Sequence, residues 1–176
     1  LEDQFQAGAT TVLYTSDHGI AMGDHRYTKK NCAYEVCSRV PAWIRVPGIE
    51  GRREKALIGN IDFTPTFTDY AGIETRRPVD GRSLRPLLEG ERRRLHKTIY
   101  LRRAQGGRDK IYSGARTQRW KYVRYDKTGE QELYDLRRDP DETLNLLSTD
   151  RNKWKRKARA LERRMNRVRK TPPKVR

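Results

Sequence analysis

The chain has 176 residues, 34% hydrophobic and 36% charged, with a formal net charge of +17. That length suffices for one domain with a modest core, or for the latter part of a larger one. It holds no apolar run of the ~18 residues that a membrane-spanning helix needs, and its acid-bearing start, Leu1-Glu2-Asp3-Gln4-Phe5-Gln6-Ala7-Gly8, lacks the basic opening of a signal peptide.

The first residues, with no initiator Met, read as the end of an amphipathic helix stopped by Gly8, so the numbering is expected to begin inside a longer protein. Thr10-Thr11-Val12-Leu13-Tyr14-Thr15 is a β-prone run that ends abruptly in Ser16-Asp17-His18-Gly19. A helix end, a buried strand and a polar loop make the rhythm of an α/β layer protein. Ligands in such sheets collect at the carboxyl ends of strands, where Asp17 and His18 fall. Their carboxylate oxygen and imidazole nitrogen can turn toward one cation: oxygen suits Ca²⁺ or Mg²⁺, and a His admits Mn²⁺ or Zn²⁺. Alone, the pair fits equally well an Asp capping its own loop beside a surface His.

The next segment carries His25 in Asp24-His25-Arg26, and the pair Lys29-Lys30. A lysine near a metal is a compact positive charge suited to a sulfate or phosphate oxygen, and a loop histidine can hand a proton to a leaving group. A solvated lysine pair is the ordinary alternative. Cys32 and Cys37, five residues apart, miss the Cys-x-x-Cys spacing and are expected as free thiols packed near a site. Val40–Val46 is a second extended run, bracketed by Pro41 and Pro47 and therefore suited to an edge. Thr64 as N-cap, Pro65 at the first helical position and Gly72 as the stop define a short helix.

From residue 98 the pattern becomes β. Thr98–Leu101, Ile111–Thr117, Trp120–Tyr125 and Gln131–Leu136 are strand candidates, with a hairpin turn at Lys127-Thr128-Gly129-Glu130. Residues 151–169 close the chain as a helix whose Trp154, Ala158, Leu161, Met165 and Val168 share one face. Residues 151–176 hold 13 Lys/Arg against the single acid Glu162, which is +12 of the total +17 and leaves +5 for the first 150 residues. Such a tail could meet nucleic acid or an anionic glycan, although it interleaves few aromatics and carries no nucleic-acid motif.

Thr15-Ser16-Asp17-His18-Gly19, Gly23-Asp24-His25, Lys30, Tyr34-Glu35 and Arg39-Val40-Pro41 together resemble one stretch of the sulfatase family, at the family's spacing. Asp62-Phe63-Thr64-Pro65-Thr66 and Asp80-Gly81-Arg82-Ser83-Leu84 extend the likeness. So do Gly114-Ala115-Arg116-Thr117 with Trp120-Lys121-Tyr122, Glu132-Leu133-Tyr134-Asp135-Leu136 and Asp139-Pro140-Asp141-Glu142, over roughly residues 9–147. The resemblance implies an α/β fold: an alkaline-phosphatase-like sheet edge followed by a small antiparallel C-terminal sheet and a terminal helix. The expected organisation is residues 1–95 as the C-terminal portion of the catalytic domain, 96–150 as the β subdomain and 151–176 as the basic helix and tail. It further implies Asp17 and His18 as metal ligands, commonly to Ca²⁺ with Mg²⁺ or Mn²⁺ as alternatives, Lys30 as the sulfate contact, and His25 as a loop residue beside the pocket. The substrate would be a sulfate ester.

Departures from the family pattern carry equal weight. The family's formylglycine nucleophile arises within C/S-x-P-S/A-R, and Cys37-Ser38-Arg39-Val40-Pro41 has similar letters in the wrong order, so Cys37 is not that residue. The nucleophile and the remaining metal ligands are expected in a missing N-terminal part, and the chain alone is expected to be inactive. Arg26 stands where many members have Gly. The runner-up readings are a phosphonate or phosphate ester hydrolase of the same superfamily, a natural truncation, and a non-catalytic polyanion-binding module. The compartment stays open; a secreted or periplasmic location would put any signal peptide upstream of Leu1.

Overall fold

A computed structural model describes residues 6–75, 77–104 and 111–170. Val12–Thr15 forms strand β1 and Ala42–Arg45 forms β2; they pair antiparallel, with Leu13 opposite Ile44 and Tyr14 opposite Trp43. The rings of Tyr14 and Trp43 lie 5.5 Å apart across that pair. Between the strands a long loop ends in the one-turn helix α1, Glu35–Ser38. Gly8, expected as a helix stop, lies inside a 3-10 turn over Ala7–Ala9; the helix expected before it falls mostly on residues 1–5, outside the described residues.

The helix expected with Thr64 as N-cap and Pro65 as its first residue instead starts two residues earlier, as α2, Phe63–Tyr70, following a 3-10 turn at Asn60–Asp62. Asp62 stands at the N-cap of α2, but its carboxylate turns back to the preceding turn and across to residues 82 and 96 rather than onto the amides of the helix. Its Oδ2 accepts from the Gly59 amide at 2.9 Å and its Oδ1 from the Arg82 amide at 2.8 Å. His96 Nε2 sits 2.9 Å and 3.0 Å from the same two oxygens. Thr66 Oγ1 donates to the Asp62 carbonyl at 2.6 Å and accepts from the Leu84 amide at 2.8 Å. Two distant motifs are thereby joined into one buried polar knot, whose members satisfy one another. Gly81 is required there by close approach: a β-carbon on it would lie 1.9 Å from the Ile61 carbonyl oxygen. Gly72 ends α2 as expected, with φ +66° and the Ile73 amide donating to Thr68 O at 2.8 Å. A further short helix, α3, follows at Arg85–Leu88.

Strands β3 (Ile99–Arg103), β4 (Tyr112–Arg116), β5 (Trp120–Tyr125) and β6 (Gln131–Asp135) form an antiparallel meander in chain order. Gly129, at φ +72°, sits in the turn between β5 and β6. After the short helix α4 (Leu146–Thr149), α5 runs over Arg151–Lys170. Ala158, Leu161 and Met165 of α5 pack on Ala115, Tyr122 and Leu133 of the sheet. Trp154 lies 5.9 Å from Trp120 at the edge of that core. Side chains alternate along a strand, so Tyr122 and Arg124 face α5 while Lys121, Val123 and Tyr125 face away. That second face is also buried, because Ala33 packs against Val123 and Tyr125. The chain is thus an α/β structure: a sheet edge, a small antiparallel sheet and a terminal helix. No helix among the described residues is long and apolar enough to cross a membrane.

Gly81→Ala forces a methyl group into the Ile61 backbone and should cost more than about 2 kcal/mol, because the knot has no room to relax. Thermal unfolding of the variant, with Gly51→Ala as a control in open space and without a positive φ, measures this.

Candidate functional site

The chain leaves β1 through Ser16 and turns at once. Ser16 Oγ donates to the His18 carbonyl at 2.9 Å, and the Gly19 amide donates to Cys37 O at 2.9 Å. Only glycine fits at 19, since a β-carbon there would lie 2.1 Å from Val36 O. This close seam against α1 fixes Asp17 and His18. Asp17 Oδ1 accepts from the His18 amide at 3.0 Å, while Oδ2 lies 3.1 Å from His18 Nε2. His18 Nδ1 lies 3.0 Å from the Gly19 carbonyl. A carbonyl can only accept, so Nδ1 carries a proton, and Nε2 is the nitrogen that faces the carboxylate. An imidazole with one nitrogen committed to a carbonyl and the other turned to a carboxylate suits a metal ligand. Slight desolvation raises the Asp17 carboxyl, but the His18 amide, the His18 ring charge and the Ser16 hydroxyl together hold it below its ordinary value. Among the described residues no group of three or more His, Cys, Asp or Glu side chains converges to hold a metal. Asp17 does cap its own loop, through Oδ1 on the His18 amide, while Oδ2 faces the His18 ring.

His25 and Lys30 are placed differently. Among the described residues no hydrogen bond or ion pair joins either of them to Asp17 or His18. His25 stacks on Tyr34 with ring centroids 3.7 Å apart and planes 8° apart, and its Nε2 lies 2.9 Å from the Asp141 carbonyl. Nε2 is therefore a donor, since a carbonyl can only accept, and Nδ1 is the remaining nitrogen. His25 and Arg26 both have positive φ, +50° and +63°. Glycine adopts that conformation freely, whereas a histidine and an arginine hold it at a cost. Lys30 is exposed, on a backbone held on both sides. Lys29 O accepts from the Ala21 amide at 3.4 Å, Asn31 O from Arg103 Nη1 at 2.9 Å, and Cys32 O from the Tyr112 hydroxyl at 3.1 Å.

Cys32 and Cys37 are not free thiols: they form a disulfide, and both are buried. The extended arm and the start of α1 bring together two residues whose spacing matches no familiar pattern, and the bond closes the loop behind Lys30. Cys37 sulfur is thereby occupied.

The largest electrostatic feature escaped the sequence reading. Lys121, on β5, is fully buried, and its Nζ lies 3.1 Å from Glu35 Oε1, 3.1 Å from Glu142 Oε1 and 3.2 Å from Ser38 Oγ. Arg116 Nη2 lies 2.8 Å from the other Glu35 oxygen, and the Glu35 amide donates to Glu142 Oε2. Register sets Arg116 directly opposite Lys121, a like-charge pair that would repel without Glu35 between them. Burial works against the Glu35 charge, but Arg116 and Lys121 overcome it and hold the carboxyl below its ordinary value. Burial raises Glu142, with the Glu35 charge adding to it against the pull of Lys121. The signal available in sequence was a lone Lys on the same strand face as Val123 and Tyr125: a buried ammonium requires a buried carboxylate.

Beside His25, a cavity of about 240 Å³ is lined by Tyr27, Tyr34, Tyr125, Thr128, Glu130 and Glu132. Glu132 Oε1 accepts from the Tyr34 hydroxyl at 3.3 Å, and Oε2 is buried with no hydrogen-bond partner among the described residues. Burial, aided by the Glu130 charge, pushes this carboxyl up to about 7 although neighbouring tyrosine hydroxyls favour its charged form.

The family described as "N-sulphoglucosamine sulphohydrolase, C-terminal" matches residues 23–171. An N-acetylglucosamine-6-O-sulfatase of Bacteroides thetaiotaomicron is 37% identical over 147 residues, covering 78% of this chain and 26% of the relative. A solved structure described as in complex with its substrate, D-glucosamine-2-N,6-O-disulfate, superposes with a TM-score of 0.85 at 31% identity, covering 97% of this chain and 36% of that one. A phosphonate monoester hydrolase of Agrobacterium radiobacter superposes with a TM-score of 0.81 at 26% identity, covering 96% and 36%. The chain therefore spans about a quarter to a third of the length of the proteins it matches.

Lys121→Ala leaves two buried carboxylates facing Arg116 alone and should destabilise the fold by about 3–5 kcal/mol; Lys121→Met, which refills the volume, recovers only part of it. Denaturant unfolding of both variants reads the difference. For Glu132 the folded carboxyl keeps its proton up to about pH 7 while the unfolded one releases it near 4.5. Its contribution is then complete below pH 4.5 and declines as pH rises toward 7, by roughly 3 kcal/mol at most. Glu132→Gln should flatten that decline, and comparing unfolding free energies of wild type and variant at pH 4.5 and 7.5 checks it.

Proposed function

From the premise that the chain belongs to the sulfatase family, we propose that it forms part of a sulfuric ester hydrolase. The observation that carries this reading is the convergence of Asp17 Oδ2 and His18 Nε2, 3.1 Å apart at the end of β1, with His18 Nδ1 committed to the Gly19 carbonyl. These two side chains would supply a carboxylate oxygen and an imidazole nitrogen to a divalent cation. Ca²⁺ is the first expectation, which takes six to eight ligands and so needs more than this pair; Mg²⁺ or Mn²⁺ are the alternatives. Such a cation would stabilise negative charge on the sulfuryl oxygens as the S–O bond breaks. Lys30, exposed on a pinned backbone, is the cation that meets a sulfate oxygen. His25 keeps its Nε2 proton on Asp141 O, so it would serve a leaving group from Nδ1, as the imidazolium.

No C/S-x-P-S/A-R sequence occurs within the 176 residues, and the Cys37 sulfur is held in a disulfide. Turnover on this reading uses a formylglycine from sequence outside residues 1–176, and the chain alone is inactive. The disulfide favours an oxidising compartment, secreted or periplasmic. An amino-sugar sulfate is the substrate class favoured by the similarity to the N-acetylglucosamine-6-O-sulfatase and to the glucosamine disulfate complex. The likeness to the phosphonate monoester hydrolase keeps a second reading, hydrolysis of a phosphonate or phosphate ester, in play.

The product of the complete reading frame should hydrolyse an aryl sulfate, and the 176-residue chain alone should not. In that product Lys30→Ala should lower kcat/KM by about a hundredfold or more, as expected for losing a donor to the charge that develops. Asp17→Ala should additionally raise the Ca²⁺ concentration needed for activity. A strong preference for the aryl phosphate over the aryl sulfate would overturn the sulfatase reading in favour of the second.

A further inference from the structure

The outer side of α5 repeats a cation at every fourth position: Arg151, Lys155, Arg159, Arg163 and Arg167. A rise of 1.5 Å per residue sets successive members about 6 Å apart along one ridge, about 24 Å from end to end. All five are exposed. Beside the first three, a cleft of about 170 Å³ opens between the helix and Gln131 and Leu147. Glu162, which also borders this cleft, is the one acid in the helix sequence and is engaged by Arg124 at 3.0 Å. It therefore does little to neutralise the ridge. The aromatic of the helix, Trp154, is turned onto Trp120, so the ridge offers no ring on which a nucleic-acid base could stack.

We propose that this ridge and cleft bind a linear sulfated polysaccharide, as a contact separate from the hydrolytic site. Evenly spaced guanidinium and ammonium groups match a chain bearing repeated sulfates, because each cation forms charge-assisted hydrogen bonds to sulfate oxygens. Each exposed contact is weak, and several in a row along one polymer add up through effective concentration. The choice of a sulfated polymer rests on the sulfate-ester reading above, while the existence of a polyanion site rests on the ridge itself.

The test uses the protein with Lys155→Glu, Arg159→Glu and Arg163→Glu combined, positions that lie off the apolar stripe of Ala158, Leu161 and Met165. An unchanged Tm shows that this variant is folded; if it is not, the three alanine replacements take its place. Wild type should bind immobilised heparin in a salt-sensitive way, and the variant should lose at least about tenfold in affinity. Unsulfated hyaluronan should bind wild type at least about tenfold more weakly than heparin at the same ionic strength. Heparin affinity that is absent in wild type, or unchanged in the variant, overturns the ridge as the site. Hyaluronan or double-stranded DNA binding as tightly as heparin overturns the sulfated polysaccharide as its ligand. Small aryl sulfate hydrolysis by the complete reading frame should be the same with and without the substitutions. Heparin binding that depends on the ridge, in a protein that hydrolyses no sulfate ester, would leave the polyanion site standing and remove the hydrolase reading.

Discussion

The buried ammonium of Lys121 is the constraint on which the arrangement of the chain depends. It sits on the face of β5 turned away from α5, and it gathers Glu35 and Ser38 from α1 and Glu142 from the segment after β6. Those partners lie 86 and 83 positions upstream, for Glu35 and Ser38. The cluster thus fixes the amino-terminal loop to the carboxy-terminal sheet. Removing such a charge from water is unfavourable unless carboxylates accompany it. The pairing is therefore all-or-none, and α1 has one place to dock. Glu142 takes φ +57°, a left-handed conformation disfavoured by about 1 kcal/mol, which the Glu35 amide and Lys121 hold in place.

From α1 the constraint passes to the strand end. Cys37 O accepts the Gly19 amide, and only a glycine at 19 lets the two segments approach. Asp17 and His18 are therefore oriented by a helix that is itself held by a buried ion. Precision at a charged site comes from such support more than from the site residues themselves. His25 is tied to the same sheet by a different route, through Tyr34 and Asp141 O. Two anchors of one loop thus converge on the meander. The disulfide adds a third restraint between Lys30 and α1.

Much of this was legible in the sequence where the signal is local. The meander was readable because alternation and turn residues report on each strand separately, so β5 agrees end to end and its neighbours differ by one or two residues. The apolar stripe of α5 was readable for the same reason from Trp154 to Met165, although Val168 at its end is exposed, and so was the stop at Gly72. The place of Asp17 and His18 just past the end of a strand was legible because a β-prone run broken by a polar loop is a local pattern. Partnerships between distant residues were not legible. Nothing near Lys121 announces Glu35, and nothing in a spacing of five announces that Cys32 and Cys37 meet. The helix start was misplaced because Thr64 is a good cap in isolation, whereas Asp62 gains Arg82 and His96 as partners only after residues 81–96 have folded back.

The two faces of the meander divide the work of the chain. One face receives α5, whose inward side is apolar and whose outward side is cationic, so the same helix closes a core and presents charge to solvent. Its partners in the core are neutral, and the charge outside therefore costs the fold little beyond mutual repulsion that water screens. The other face receives the loop of the candidate site through a buried, paired charge cluster, where screening is absent and geometry is strict. A cationic surface that tolerates substitution and a buried cluster that does not are thus consequences of one strand alternation, with Arg124 and Lys121, three residues apart on β5, turned to opposite sides of the sheet.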